Sequence, residues 1–155
     1  MPVSVLILAA ALAQEPPAQA ALPDILIPEL RLGMDKQQFH ASWPDETATV
    51  APGCTLTMAP TFRHTALDRV TLRSTRKGTG AACLKTVFDR VHAELGKPEN
   101  EYSIPPNSNG CFQSIGGLSP DAECGPHFIV WEQPRSWVVM LEVRADEWWL
   151  TIRGW

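Results

Sequence analysis

The fold is decided by residues 137–153, which read WVVMLEVRADEWWLTIR. Apolar and polar side chains alternate on both sides of a short loop formed by Ala145 and Asp146, and this pattern predicts two antiparallel strands joined as a hairpin. A two-residue loop aligns three apolar pairs on one face: Val143–Trp148, Leu141–Leu150 and Val139–Ile152. The other face is mixed, with the pairs Arg144–Glu147, Glu142–Trp149, Met140–Thr151 and Val138–Arg153. A shift by one residue would bury the charged side chains, so this register is strongly specified.

A third strand is predicted just before this hairpin, over residues 127–131, which gives the chain a C-terminal three-stranded meander. Two earlier segments, residues 54–58 and 67–74, alternate in the same way. In the second of them Val70 and Leu72 point to one face, while the polar residues beside them point to the other. This pattern is typical of half-buried antiparallel strands.

Two helices are predicted upstream of the meander. Asp35 is a good N-cap, and Gln38 completes a capping box with it. The first helix is expected over residues 36–43, because the residue before Pro44 avoids the α region. The second is expected over residues 81–95, where apolar side chains recur at the spacing of one buried helix face. These side chains are Leu84, Val87, Phe88, Val91 and Leu95.

Together these elements predict the α+β class, with two helices packed on an antiparallel sheet, a C-terminal three-stranded meander and two disulfides. A length of 155 residues suits a single hydrophobic core. Residues 21–155 are therefore expected to form one α+β domain. Within it, residues 100–126 carry many turn-forming residues and are expected to be loop-rich.

Residues 1–20 have the features of a secretory signal peptide. Residues 3–13 form an uncharged apolar run that is shorter than the roughly 20 residues needed to cross a bilayer. Small-residue cleavage sites end at Ala13 and Ala20, although no Lys or Arg precedes the run. A short buried strand or helix is the alternative interpretation. We expect a bacterial protein that is periplasmic or secreted, with no stable membrane span after signal cleavage.

The cysteine pattern agrees with export. The chain has 4 cysteines, an even number that is typical of paired disulfides in small exported proteins. Three connectivities are possible, and we favour Cys54–Cys83 with Cys111–Cys124, because each bridge then closes a local unit. No spacing matches the C-x-x-C motif of redox or zinc sites. Free cysteines in a cytosolic protein are the alternative.

Composition and motifs exclude several function classes. A net charge of −4, from 13 basic and 17 acidic residues, argues against a nucleic-acid partner. The histidines lack the spacing of metal ligands, so no metal site is predicted. No nucleophile elbow, metalloprotease motif or phosphate-binding loop is present, so neither catalytic residues nor a cofactor can be assigned.

Tryptophan is the residue type that stands out, because all 6 tryptophans except Trp43 lie beyond residue 130. The adjacent Trp148 and Trp149 point to opposite faces of their strand. Trp and Arg are enriched at binding hot spots, so the predicted binding surface consists of Trp131, Met140, Trp149 and Arg153. The alternative is that the first part of the chain covers this face and Trp149 is a second core aromatic.

The phrase Leu32-Gly33-Met34-Asp35-Lys36, leading into Phe39, resembles the opening of helical repeats in the β-lactamase-inhibitor-protein-like fold. Small outer-membrane assembly lipoproteins of the SmpA/OmlA type share that fold. The resemblance implies a protein-binding module with an exposed sheet and transfers no catalytic residues.

The function expected from the sequence is therefore an exported binding module. It would be protein-binding, inhibitor-like or an envelope accessory, and its partner would be another protein held by the C-terminal sheet face. A small hydrolytic enzyme, with a site assembled from residues distant in sequence, is the alternative, and a binding protein is favoured over an enzyme.

Overall fold

The computed structural model describes residues 26–75, 78–103, 126–144 and 146–155. They form two helices and seven strands, which confirms the α+β class. In chain order the elements are α1 Lys36–Ser42, β1 Thr47–Ala51, β2 Cys54–Arg63, β3 Ala66–Thr75, α2 Thr79–Leu95, β4 Asn100–Ser103, β5 His127–Gln133, β6 Trp137–Val143 and β7 Glu147–Gly154.

The seven strands form one sheet in the order β1-β2-β3-β7-β6-β5-β4, and every neighbouring pair is antiparallel. The predicted meander is confirmed as β5-β6-β7. Strand β7 also pairs with β3 along its whole length, with Leu150 opposite Leu72 and Thr151 opposite Thr71. This pairing joins the two halves of the chain into a single sheet.

The predicted register of the β6–β7 hairpin is confirmed. Trp148 lies opposite Val143, Leu150 opposite Leu141 and Trp149 opposite Glu142. The hairpin closes with the Arg144 N–H donating to the Glu147 carbonyl at 2.9 Å. The alternation of side chains therefore decided which face of these strands is buried.

One face of the sheet, the inner face, forms the core with α1, α2 and the segment before α1. Trp148 is fully buried there, and its Nε1 donates to the Gly80 carbonyl in the first turn of α2 at 3.1 Å. Gly80 is required at this position, because a Cβ would lie 2.0 Å from the Thr75 carbonyl oxygen. The largest fully buried side chains are Trp131, Trp148, Phe39, Leu56, Met58, Leu67, Leu72, Ile129, Leu141 and Leu150.

Both helix predictions hold, with small shifts at the ends. Helix α1 has the expected capping box between Asp35 and Gln38, and it ends at Ser42 with Trp43 as C-cap. Helix α2 begins at Thr79, two residues before its predicted start. Its buried face includes Leu84, Val87 and Val91, as the periodicity predicts.

The disulfide between Cys54 and Cys83 is confirmed and ties the start of β2 to α2. Its two Cα atoms are 5.2 Å apart, and both cysteines are buried. Cys111 and Cys124 lie outside the described residues, so the second bridge stays a prediction. The predicted signal peptide lies outside the described residues as well.

Two strands were not predicted. Strand β1 is a short edge strand, and its Ala-rich inner positions give a weak pattern. Strand β4 lies at the start of residues 100–126, so the prediction of a loop is wrong for Asn100–Ser103. Its sequence, NEYS, has no apolar alternation, and its strand conformation depends on pairing with β5.

Candidate functional site

The outer face of the sheet, which points away from the two helices, carries three of the four predicted binding residues. Met140, Trp149 and Arg153 all lie there, on β6 and β7. Met140 and Trp149 are half-buried, and Arg153 is exposed. The register of β7 between β3 and β6 brings them together, because Thr151 pairs with Met140 and lies between Trp149 and Arg153.

The fourth predicted residue, Trp131, lies on the inner face and does not belong to this surface. It is 2% exposed, and its Nε1 donates to the Gly96 carbonyl at 2.9 Å, just beyond α2. The reason is the phase of β5, in which His127, Ile129 and Trp131 point inward. Its ring lies 6.0 Å from that of Phe88, so Trp131 is a core residue.

Three arginines lie on the outer face of the two middle strands, and we call them the arginine strip: Arg69 and Arg73 on β3 and Arg153 on β7. All three side chains are exposed. Arg69 lies directly opposite Arg153. The next outward-facing pair, Thr71 and Thr151, separates these two arginines from Arg73, and its two hydroxyls are 3.2 Å apart. Within the described ranges, none of the three guanidinium groups forms an ion pair with a carboxylate.

The arginine strip separates two chemically different areas. On the β1 and β2 side the exposed residues are mostly threonines, and the Thr49 and Thr55 hydroxyls are 2.9 Å apart. On the β6 side Trp149 of β7 lies directly opposite Arg73 of β3, and the Arg144 guanidinium lies 4.5 Å from the centroid of the Trp149 ring. This part of the face, around the arginine strip, therefore offers cations, hydroxyls and the Trp149 ring together.

The arginine strip could not be recognised from the sequence, although each arginine was placed on the polar side of its strand. The two strands are far apart in the chain, and nothing local indicates that β3 pairs with β7. The only available signal is that both strands alternate strongly, which predicts that each is half-buried but does not identify its neighbour.

A second cluster links the edge strand β4 to β5. The Ser103 hydroxyl is 2.7 Å from Nδ1 of His127, and Nε2 of His127 is 3.0 Å from a Glu101 carboxylate oxygen. Burial lowers the pKa of His127 below its ordinary value, against the opposing effect of the hydrogen bond and charge of Glu101. Sequence reasoning treated the histidines as scattered and missed this cluster, because it depends on the β4–β5 register.

A cleft of about 430 Å³ lies at one end of the sheet. Its walls are the segment Leu30 to Gly33, the turn between β2 and β3, the start of β6 and the end of β7. Arg31, Arg63 and His64 line it together with one carboxylate, Asp68, which is 3.2 Å from the Arg63 guanidinium. These residues are distant in sequence, so no motif pointed to the cleft.

No group of three or more His, Cys, Asp or Glu side chains is arranged to hold a metal ion in the part of the chain that the structure describes. No helix within the described ranges is both long and apolar enough to cross a membrane.

Comparison with known proteins found no matching family model, no similar curated protein and no similar solved structure.

Proposed function

We propose that the protein is an exported binding module that recognises an acidic protein surface through the outer face of its sheet. The observation that carries the proposal is the exposed arginine strip, in which Arg69 and Arg153 lie opposite each other without an ion pair in the described structure. Like charges placed directly opposite on neighbouring strands are destabilising. Carboxylates of a partner would relieve this repulsion and accept bidentate hydrogen bonds from the guanidinium groups.

The surroundings of the arginine strip fit a protein partner. Trp149 lies beside Arg73, and its half-buried ring offers apolar area at low conformational cost. Trp and Arg are the side chains that most often dominate protein interfaces. The threonine hydroxyls of β2 and β3 supply donors and acceptors for a polar rim.

Export is the second part of the proposal. The disulfide between Cys54 and Cys83 is typical of an oxidising compartment, and the apolar residues 3–13 supply the expected signal sequence. A location in the periplasm or outside the cell follows. The likeness of residues 32–39 to the β-lactamase-inhibitor-protein-like fold also implies a protein-binding module of the cell envelope.

Site-specific photo-crosslinking tests the surface directly. A photoreactive phenylalanine at Thr57, which is exposed and opposite Arg73, should cross-link a periplasmic protein. The same group at Glu94, exposed on α2, should not. The cross-link should weaken at high salt, because exposed charges are screened. A partner captured from Glu94 but not from Thr57 would contradict the proposal.

One observation favours the hydrolytic alternative. Ser103, His127 and Glu101 form a hydrogen-bonded series of hydroxyl, imidazole and carboxylate, the order used by serine hydrolases. In that role His127 would accept the Ser103 proton as the hydroxyl attacks a substrate carbonyl. A fluorophosphonate probe should then label wild-type protein and fail to label Ser103→Ala. Absence of labelling in the wild type would contradict this alternative. The role of the cluster would then be to hold β4 against β5.

A further inference from the structure

The cleft at the end of the sheet has the properties of a small-ligand site, and it adjoins the outer face at Arg153. Its volume, about 430 Å³, lies within the range of roughly 300–1,000 Å³ that small-molecule pockets occupy. Its walls combine the apolar Leu30 and Leu32 with the polar side chains of the β2–β3 turn. This mixture is typical of sites that hold an apolar ligand and orient it by a few polar contacts.

Trp137, which lines the cleft, carries a buried donor without an acceptor. The residue is 9% exposed, and within the described ranges its Nε1 is the one buried side-chain nitrogen or oxygen that lacks a hydrogen-bond partner. The other deeply buried tryptophans, Trp131 and Trp148, both donate to backbone carbonyls. Because buried polar groups are almost always paired, this unpaired donor at a cleft indicates a missing acceptor.

The charges of the cleft favour an anionic acceptor. Two cationic side chains, Arg31 and Arg63, line it against one side-chain carboxylate, that of Asp68. The Arg31 guanidinium donates to the carbonyls of Pro28 and Leu30, which fixes it in the wall. Arg63 has a side chain that is 69% exposed, so it can turn toward a ligand while Asp68 remains near.

An exposed aromatic ring completes the cleft. Trp155 is 59% exposed, and the guanidinium of Arg153 lies 5.3 Å from its ring centroid. An exposed indole beside a polar cavity offers a surface on which a flat ring can stack. The backbone N–H of Trp155 donates to the carbonyl of Ser136 at 3.3 Å, and Ser136 directly precedes Trp137 in the chain.

We infer that this cleft binds a small aromatic carboxylate. The carboxylate accepts a hydrogen bond from Nε1 of Trp137 and is attracted by Arg63, while the aromatic ring of the ligand stacks on Trp155. Nε1 is shielded from water, so this hydrogen bond requires a small adjustment of the indole on binding. The site adjoins the proposed protein-binding face, because the Arg153 guanidinium of that face lies 5.3 Å from the Trp155 ring centroid.

Titration with benzoate, followed through the indole N–H resonances, tests the inference. The Trp137 resonance, identified by its loss in Trp137→Phe, should shift saturably at millimolar benzoate. Benzyl alcohol, which lacks the charge, and acetate, which lacks the ring, should each bind at least about fivefold more weakly. An unmoved Trp137 resonance, or equal binding of either analogue, would overturn the inference.

A pair of matched variants tests the electrostatic part. Arg63→Gln should raise the Kd for benzoate by at least about fivefold, since it removes a charged donor from the cleft. Arg73→Gln removes the same charge from the outer face and should change that Kd by less than about twofold. Equal effects of the two variants would mean that only net charge matters, and the proposed site would be rejected.

Discussion

Arg69 on β3 lies directly opposite Arg153 on β7, on the outer face of the two middle strands of the sheet. The two guanidinium groups therefore project from neighbouring strands. The next outward-facing pairs along these strands are Thr71–Thr151 and Arg73–Trp149. The arrangement has a cost in the isolated protein, because opposed like charges repel. It concentrates positive charge on the outer face of a chain whose net charge is −4.

The first prediction concerns this repulsion. Replacing Arg153 by Thr, a good strand former, should raise the free energy of unfolding by about 0.2–1 kcal/mol, the usual size of a cross-strand pair. The gain should shrink at 1 M salt, where charges are screened within about 3 Å. Urea midpoints at low and high salt measure both effects. Arg73→Thr, which removes a charge opposite Trp149, is the control and should show no comparable gain. A loss of stability in Arg153→Thr at low salt would refute the repulsion.

Adjacent tryptophans should behave differently. Trp148 is fully buried and hydrogen-bonded to α2, so Trp148→Ala should cost about 3–5 kcal/mol. Trp149 lies on the outer face, and Trp149→Ala should cost about 1 kcal/mol or less. Denaturant midpoints of the two variants provide the comparison. Large and equal losses would mean that the outer face is buried at Trp149.

The Cys54–Cys83 bridge should contribute strongly to stability. It joins cysteines separated by 29 residues, and the loop-entropy relation gives a contribution of about 3–4 kcal/mol. The double variant Cys54→Ala/Cys83→Ala should lose that amount in chemical denaturation, while Cys111→Ala/Cys124→Ala reports on the other pair separately. Mass spectrometry of unreduced peptides should find Cys54 linked to Cys83. Finding Cys54 linked to another cysteine would contradict the structure.

The lowered pKa of His127 predicts that the free energy of unfolding depends on pH. Burial lowers the pKa of His127 in the folded protein below the ordinary 6.5, so the unfolded chain takes up this proton first as the pH falls. The contribution of His127 to the free energy of unfolding is thus fully present above about pH 6.5, where the imidazole is neutral in both states. It declines as the pH falls below that value, until the pKa of His127 in the folded protein is passed. Denaturation at several pH values between about 7 and 5 should show a steeper loss in the wild type than in His127→Gln. Identical slopes would rule out this linkage.

Local signals in the sequence predicted the parts of the fold that local physics specifies. The alternation around Ala145 and Asp146, with its two-residue loop, predicted the β6–β7 register, since a slip by one residue buries charge. The Asp35–Gln38 capping box predicted the start of α1. Both features depend only on residues close in the chain.

The parts that sequence reasoning missed depend on contacts between distant residues. Strand β4 has no periodicity of its own and is held by pairing with β5 and by the Ser103–His127 hydrogen bond. Trp131 was assigned to the binding surface by residue type, whereas the phase of β5 turns it into the core. The arginine strip likewise depends on the β3–β7 pairing, which no local pattern specifies.

The central claim is that the arginine strip binds an acidic protein surface. The most direct test uses the partner protein that is captured by the photoreactive group at Thr57. The Kd of that partner is measured for two double variants of this protein, each of which loses two positive charges. Arg73→Gln/Arg153→Gln should weaken binding by at least about 30-fold, because it removes two charge-assisted contacts. Lys85→Gln/Lys97→Gln, on and just beyond α2, should change the Kd by less than about threefold. Equal weakening by both pairs, or none by the arginine pair, would contradict the account.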